Sequence, residues 1–264
     1  MRACDRMTIL CYHSVQPDWP SPMAVSPAAF AAHCTWLARH RQVLNLSEAV
    51  SRLTPAGQLP RGMTALTFDD GFRGVFEHAF PILMRHRLTA AVFVVAETLV
   101  PGGRRVDWVD DPPPFPLATL SVEEIAEMQK GGIAFGSHSY GHRDLTTLSE
   151  RECEDDLRQS RTLLEDILTC HIPFLAYPRG RHDEKVRRAA KRAGYTHAFA
   201  LPDAPETAGP YAVPRAGVYP GNGVQALRVK TAPWYLAVRT SRLFPLLRTA
   251  ASFGRDSPPS GPPG

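Results

Sequence analysis

The sequence predicts an α/β protein whose strands form one parallel sheet. Strand-like and helix-like segments alternate along most of the 264 residues. Several strand-like segments are short, continuous apolar runs, which are typical of buried parallel strands. Repeated strand-then-helix units build a parallel sheet that is either open or closed into a barrel. About seven such units favour the barrel.

The predicted strands are apolar segments bounded by turn residues or by polar groups. In chain order they are residues 7–13, 42–46, 64–68, 89–96, 133–138, 174–178 and 197–201.

The predicted helices carry recognisable start and stop signals. Ser26 and Pro27 stand where an N-cap and a first helical residue belong, and Pro81 interrupts the third helix. Ser121 with Glu124 and Ser149 with Glu152 form predicted capping boxes. The helices span residues 26–40, 47–53, 75–86, 121–132, 149–168 and 182–194.

One long connection, residues 97–120, interrupts the alternation. It contains the stretch VDWVDDPPPFP, and an irregular connection of this length is usually functional or disordered.

Composition and charge rank several function classes. The net charge is +4, and the basic residues are scattered, so no nucleic-acid partner is predicted. The five cysteines form no C-x-x-C pair, which argues against a disulfide framework or zinc knuckle and fits a reducing compartment. Neither a signal peptide nor an apolar run of roughly 18 residues is evident. We therefore expect a cytoplasmic location.

Polar side chains follow four of the predicted strands, where each strand ends. They are His13, the pair Asp69–Asp70, His138 with His142 four residues on, and Arg179. Because the carboxyl ends of parallel strands share one face, these groups are expected to converge there.

Two adjacent carboxylates at such a place need a counter-charge, because burying them unpaired is costly. A divalent cation would supply it. If His138 and His142 lie on one helical turn, their imidazoles face the same side, as a metal-binding pair requires. One aspartate and two histidines make a three-ligand site with open positions, typical of catalytic Zn²⁺ or a similar ion. The other aspartate would then remain free as a base.

Each of these features also has a structural interpretation. The TFDDG stretch could be a strand end followed by an Asx turn and a helix cap. His13 could be a hydrogen-bonded core histidine, and the His138–His142 pair a coincidence of the surface. The coincidence of all three at strand ends favours a site.

The motifs together resemble the polysaccharide deacetylase family, the NodB-homology carbohydrate esterases of family 4. TFDDG at 67–71 is similar to the first family motif, HSYGH at 138–142 to the second, and AYPRG at 176–180 stands where the third belongs. The YH pair at 12–13 resembles a permuted subgroup that deacetylates poly-N-acetylglucosamine. The likeness covers roughly residues 7–220.

The resemblance implies a distorted (β/α)7 barrel with the active site at the C-terminal ends of its parallel strands. It implies Asp69 as general base and His13 as general acid. It also implies a divalent cation, most simply Zn²⁺ with Ni²⁺, Co²⁺ or Fe²⁺ as alternatives. The implied ligands are Asp70, His138 and His142.

The third motif departs from the family pattern. Ala176 stands where the family commonly has an arginine, and Arg179 replaces an aromatic residue. Arg215 is a candidate for supplying the missing guanidinium from another strand. Tyr177 and Arg179 are expected at the substrate, with a backbone N–H near Arg179 holding the oxyanion.

The implied reaction is hydrolysis of N-acetyl groups on the amino sugars of a glycan, which releases acetate. Trp108, in the connection at 97–120, then has two interpretations: its ring stacks on a sugar, or it anchors the loop on the barrel. Two alternatives stay open from the residues alone: an O-acetyl esterase, since the same site would cleave esters, and an inactive glycan-binding protein.

The predicted domain organisation is a catalytic domain at 7–222, a basic helical extension at 223–254 and a disordered tail at 255–264. The extension interleaves Arg and Lys with large apolar residues. That pattern is typical of an amphipathic helix pair on a membrane surface or a partner. The alternative is a helix that covers the barrel.

Overall fold

Seven parallel strands close into a barrel in the computed structural model, which describes residues 6–54, 59–202 and 207–241. Their order along the chain is also their order around the barrel. They are β1 (Ile9–Tyr12), β2 (Met63–Phe68), β3 (Ala91–Val94), β4 (Ala134–Ser137), β5 (Phe174–Ala176), β6 (His197–Ala200) and β7 (Val213–Gly217). β1 pairs with both β2 and β7, which closes the ring. The predicted (β/α)7 barrel is confirmed.

The barrel differs from the predicted strand list at two places. The predicted strand at 42–46 forms only as Gln42–Val43, which pairs with the start of β2 outside the ring. β7 takes the remaining barrel position. The apolar pattern misses β7 because Pro214 interrupts it, and proline weakens a strand signal. Two shorter pairings complete the strands of the described residues: Arg6–Met7 with Leu59–Pro60, and Ser14–Val15 with Ala24–Val25.

The helices pack outside the barrel, and their predicted caps form. They are α1 (Pro27–His40), α2 (Leu46–Ser51), α3 (Phe80–His86), α4 (Val122–Lys130), α5 (Glu150–Leu168), α6 (Glu184–Arg192), α7 (Val224–Lys230) and α8 (Tyr235–Arg239). Ser26 caps α1, and the capping boxes at Ser121 and Ser149 are complete. Within the described ranges, three short 3₁₀ segments lie at Ala96–Leu99, Leu145–Thr147 and Pro178–Gly180.

The interruption predicted at Pro81 takes the form of a π-helical segment, Val75–Ala79, directly before α3. Proline has no N–H to donate to the carbonyl four residues earlier. Directly before Pro81, the N–H of Phe80 donates to Val75 O, one residue further back than in an α-helix.

The barrel interior is apolar at one end and polar at the other. Ile9, Ala65 and Val213 fill the end near the strand starts, and Phe93 and Phe199 pack above them. A second, larger apolar layer joins the strands to the helices. The C-terminal strand ends therefore present polar side chains above an apolar floor.

The described part of the predicted C-terminal extension, residues 223–241, packs against the barrel. Leu227 and Leu236 are buried, and Arg239 Nε donates to Pro202 O. Trp234 is 53% exposed. The rest of the extension and the predicted tail lie outside the described residues. No helix within the described ranges is both long and apolar enough to cross a membrane. The domain boundaries, the cytoplasmic location and the membrane contact stay predictions.

Candidate active site

The two adjacent aspartates follow β2 at a sharp turn. Asp69 N donates to Tyr12 O at 2.9 Å, which continues the ladder between β1 and β2. Asp70 then adopts φ 68° and Gly71 φ 64°, both left-handed. A Cβ on Gly71 would lie 2.8 Å from Val94 Cγ1, so this position needs glycine for space as well as conformation. The turn allows successive carboxylates to enter different surroundings.

Asp69 forms a buried, two-pronged ion pair with Arg215 on β7. Arg215 Nη1 and Nη2 each lie 2.7 Å from one carboxylate oxygen. Both residues are buried, and the guanidinium lies near the rings of Phe93 and Phe199 inside the barrel. Burial raises the pKa of Asp69, but Arg215, His138 and His13 together lower it more, so the net shift is downward and the group stays ionised.

Asp70 faces both histidines of the HSYGH stretch. Its Oδ1 lies 3.5 Å from His138 Nε2 and 3.1 Å from His142 Nε2. His138 Nδ1 is 2.8 Å from Ala176 O. Because a carbonyl only accepts, Nδ1 carries the proton, and Nε2 of neutral His138 is free to bind a ligand.

The HSYGH stretch is an irregular loop, so the predicted helical turn is wrong. Ser139 and His142 have left-handed φ values of 67° and 52°, which bring both rings to one side without a helix. Ser139 Oγ accepts from His142 N at 3.0 Å. Asp156 of α5 accepts from Tyr140 N at 2.9 Å, which ties the loop to a long helix.

The donor set fits a divalent cation. One ligand atom from each of Asp70, His138 and His142 lies within 4.8 Å of the others. Asp70 Oδ2 and His142 Nδ1 are buried with no hydrogen-bond partner among the described residues. A buried carboxylate oxygen without a donor is costly unless a cation satisfies it. Two imidazole nitrogens and one oxygen suit Zn²⁺ and similar ions.

The charge states of His142 and Asp70 also suit ligation, whereas His138 has to give up a proton. Burial lowers the pKa of His142 more than Asp70 raises it, which favours the neutral ring. For His138 burial again lowers the pKa, but Asp69 and Asp70 outweigh it. Burial raises the pKa of Asp70, but the two histidines lower it further, so Asp70 is ionised. A cation would compete for the proton that the carboxylates attract to His138.

His13 follows β1 on the other side of Asp69. A ring nitrogen of His13, an oxygen of Asp69 and Cys11 Sγ lie within 4.8 Å of one another. Cys11 Sγ donates to Asp69 Oδ2 at 3.3 Å. Sequence reasoning missed Cys11. Its position two residues before His13, on the same side of the strand, was the available signal.

One cavity of about 290 Å³ is lined by His13, Asp69, Asp70, His138 and His142, together with Arg179 and Trp108. Arg179 adopts φ 57°, and its Nη2 donates to Trp108 O at 3.2 Å. Tyr177 is buried away from the cavity, and its hydroxyl donates to Tyr211 O. The Tyr177 side chain thus does not line the cavity, and the expected role of Tyr177 at the substrate stays a prediction.

Trp108 is buried beside the HSYGH stretch at 138–142, called the histidine loop below, with 8% of its surface exposed. Its indole stacks on the His142 imidazole, with 4.7 Å between the ring centroids. This placement fits the loop-anchor interpretation, since the ring face that a sugar would need is against His142.

The sequence profile of one family, Polysaccharide deacetylase, matches residues 56–198. The chain belongs to the polysaccharide deacetylase family. The prediction of a hydrolase of this class is therefore confirmed.

The relatives agree with this assignment. A Bacillus subtilis protein named as a polysaccharide deacetylase, YxkH, is 26% identical over 82% of this chain and 72% of its own length. A poly-β-1,6-N-acetyl-D-glucosamine N-deacetylase of Staphylococcus aureus is 25% identical over 73% of this chain and 67% of its own. The solved Streptococcus pyogenes deacetylase PplD shares the fold, with a TM-score of 0.70 and 21% identity over 89% of this chain and 98% of its own.

Proposed function

We propose that this protein is a metal-dependent hydrolase that removes N-acetyl groups from the amino sugars of a polysaccharide. One observation carries the proposal: the two adjacent carboxylates have different neighbouring groups. Asp70 faces two imidazoles, whereas Asp69 is held by a guanidinium beside His13. The relatedness to a poly-N-acetylglucosamine deacetylase supports an N-acetylated glycan as substrate.

Asp70, His138 and His142 would hold the cation, with Zn²⁺ preferred and Ni²⁺, Co²⁺ or Fe²⁺ as alternatives. When bound, a divalent cation polarises a carbonyl oxygen and lowers the pKa of a water toward about 7.

The remaining residues divide the proton transfers. Asp69 accepts a proton from the attacking water, and Arg215 fixes the carboxylate orientation. His13 gives a proton to the sugar nitrogen as the bond to the acetyl carbon breaks. The backbone N–H at Arg179 faces the developing negative charge on the acetyl oxygen. Each acid or base role is typically worth about 10²–10⁴ in rate.

Acetate release tests this function. We expect the purified protein to release acetate from N-acetylglucosamine oligomers, to lose activity with a chelator and to regain it with Zn²⁺. Release only from O-acetylated glycans would instead assign an esterase. Binding of the oligomers without release from either substrate would assign an inactive glycan-binding protein.

A further inference from the structure

Trp108 contacts two of the three residues that would hold the cation. Its Nε1 donates to Asp70 Oδ1 at 3.2 Å. Its ring lies over His142 with 24° between the planes. The indole thus contacts one ligand by a hydrogen bond and another by its face.

The loop that carries Trp108 is anchored at several points. Arg179 donates to Trp108 O, and Arg104 donates to Gly141 O within the histidine loop. Trp19 Nε1 donates to Asp111 O at 2.9 Å. Further along, Leu120 N donates to Gly71 O, directly after the two aspartates. Trp108 is therefore fixed independently of the two side chains that it contacts.

We propose that Trp108 is a positioning residue that holds Asp70 and His142 in the geometry for binding a divalent cation. The inference rests on the proposed metal site. The indole N–H fixes the rotation of the Asp70 carboxylate, whose other oxygen is without a donor among the described residues. The stacked ring fixes the plane of His142, whose Nδ1 makes no hydrogen bond within the described structure.

The stacking of Trp108 on His142 matters because the two histidines are oriented differently. A ligating histidine is usually oriented by a hydrogen bond from its other nitrogen, as His138 is through Ala176 O. His142 lacks this restraint, and the stacked indole takes its place. Loss of such supporting contacts typically weakens metal binding by about 10- to 100-fold.

Zn²⁺ affinity of the full chain, measured by competition with a chromophoric chelator, tests the proposal. Trp108→Phe keeps an aromatic ring on His142 and removes the N–H, and Trp108→Leu removes both contacts. We expect the affinity to fall about 10-fold in the first variant and up to about 100-fold in the second. Unfolding without added metal is measured in parallel, so that affinities are compared only where the protein is folded.

Trp36→Phe is the matched control. Trp36 lies on α1 against Arg41, away from the cavity lining, and its substitution should leave Zn²⁺ affinity unchanged. Wild-type affinity in both folded Trp108 variants would overturn the positioning role alone. Absence of Zn²⁺ binding in the wild-type protein would overturn the proposed metal site as well.

Discussion

Asp69 and Asp70 are chemically identical neighbours, and the surrounding residues give them different tasks. The left-handed turn at Asp70 separates the two carboxylates. Asp69 pairs with the Arg215 guanidinium inside the barrel, and Asp70 faces the imidazoles of His138 and His142. Sequence alone predicted that one aspartate would bind metal and one remain free, and the family resemblance assigned which.

Replacement of Asp69 by Asn should abolish turnover while preserving the metal site. Asn cannot accept the proton from water, so we expect acetate release to fall by about 10²–10⁴. Zn²⁺ affinity should persist, since Asp70, His138 and His142 are intact. Asp110→Asn is the control, because that carboxylate lies at the same cavity with its side chain 88% exposed. Normal turnover in folded Asp69→Asn protein would refute the base role.

The Arg215–Asp69 pair should show strong coupling in stability. Arg215→Met leaves a buried carboxylate without its partner, which typically costs about 3–5 kcal/mol of unfolding free energy. The double variant with Asp69→Asn should be less destabilised than the sum of the single variants. Denaturant unfolding of all four proteins checks this expectation, and additive single effects would contradict it.

Contacts between distant residues mark the limit of sequence reasoning at this scale. Arg215 meets Asp69 across 146 residues, Cys11 meets the same carboxylate across 58, and Trp108 meets Asp70 across 38. Each residue type was visible in the sequence. Which residues contact each other was not visible, because those contacts depend on how the strands pair around the ring.

At the scale of elements, the histidine loop depends on α5. The carboxylate of Asp156 is buried and accepts from the main chain of Tyr140 and from Arg143. Burial raises the pKa of Asp156 despite these donors, so keeping it charged there is costly. The Asp156 carboxylate thus ties the loop to α5 through its hydrogen bonds to Tyr140 N and Arg143.

Substitution of Asp156 by Ala should loosen the loop that presents His138 and His142. We expect a loss of about 1–3 kcal/mol in unfolding free energy from the unsatisfied donors, and weaker Zn²⁺ binding. Asp155→Ala is the control, since its side chain is 64% exposed on the same helix. Equal Zn²⁺ affinities for the two variants would show that Asp156 serves the helix alone.

Local signals predicted most elements correctly. The capping boxes at Ser121 and Ser149 fixed two helix starts because cap geometry involves only neighbouring residues. The HSYGH loop was misjudged because its shape depends on left-handed backbone angles at Ser139 and His142, which residue type alone does not specify.

At the scale of the whole molecule, His33 links α1 to the first barrel strand and to the segment that follows the last one. Its Nδ1 accepts from the Tyr12 hydroxyl at 3.2 Å, and its Nε2 donates to Asn222 O at 2.6 Å. Burial lowers the pKa of His33 below 6.5, although the bond to Asn222 opposes this.

This buried histidine should make stability depend on pH. Above pH 6.5 the ring is neutral in both states and the fold has its full stability. As pH falls below 6.5, the unfolded chain binds the proton first, so unfolding free energy decreases. Unfolding at about pH 7 and about pH 5.5 should show a smaller decrease for His33→Gln than for wild type. His40→Gln, on the exposed end of α1, should behave as wild type, and an equal decrease in all three proteins would contradict the assignment.

The ring of strands closes between β1, which precedes His13, and β7, which carries Arg215, with Ile9 paired to Arg215. These are the first and last barrel strands to leave the ribosome. A nascent chain therefore contains Asp70, His138 and His142 before the seam can form, and such late, long-range pairing is slow. We expect catalysis to begin only when synthesis has passed the final strand, because that strand supplies the arginine that pairs with Asp69.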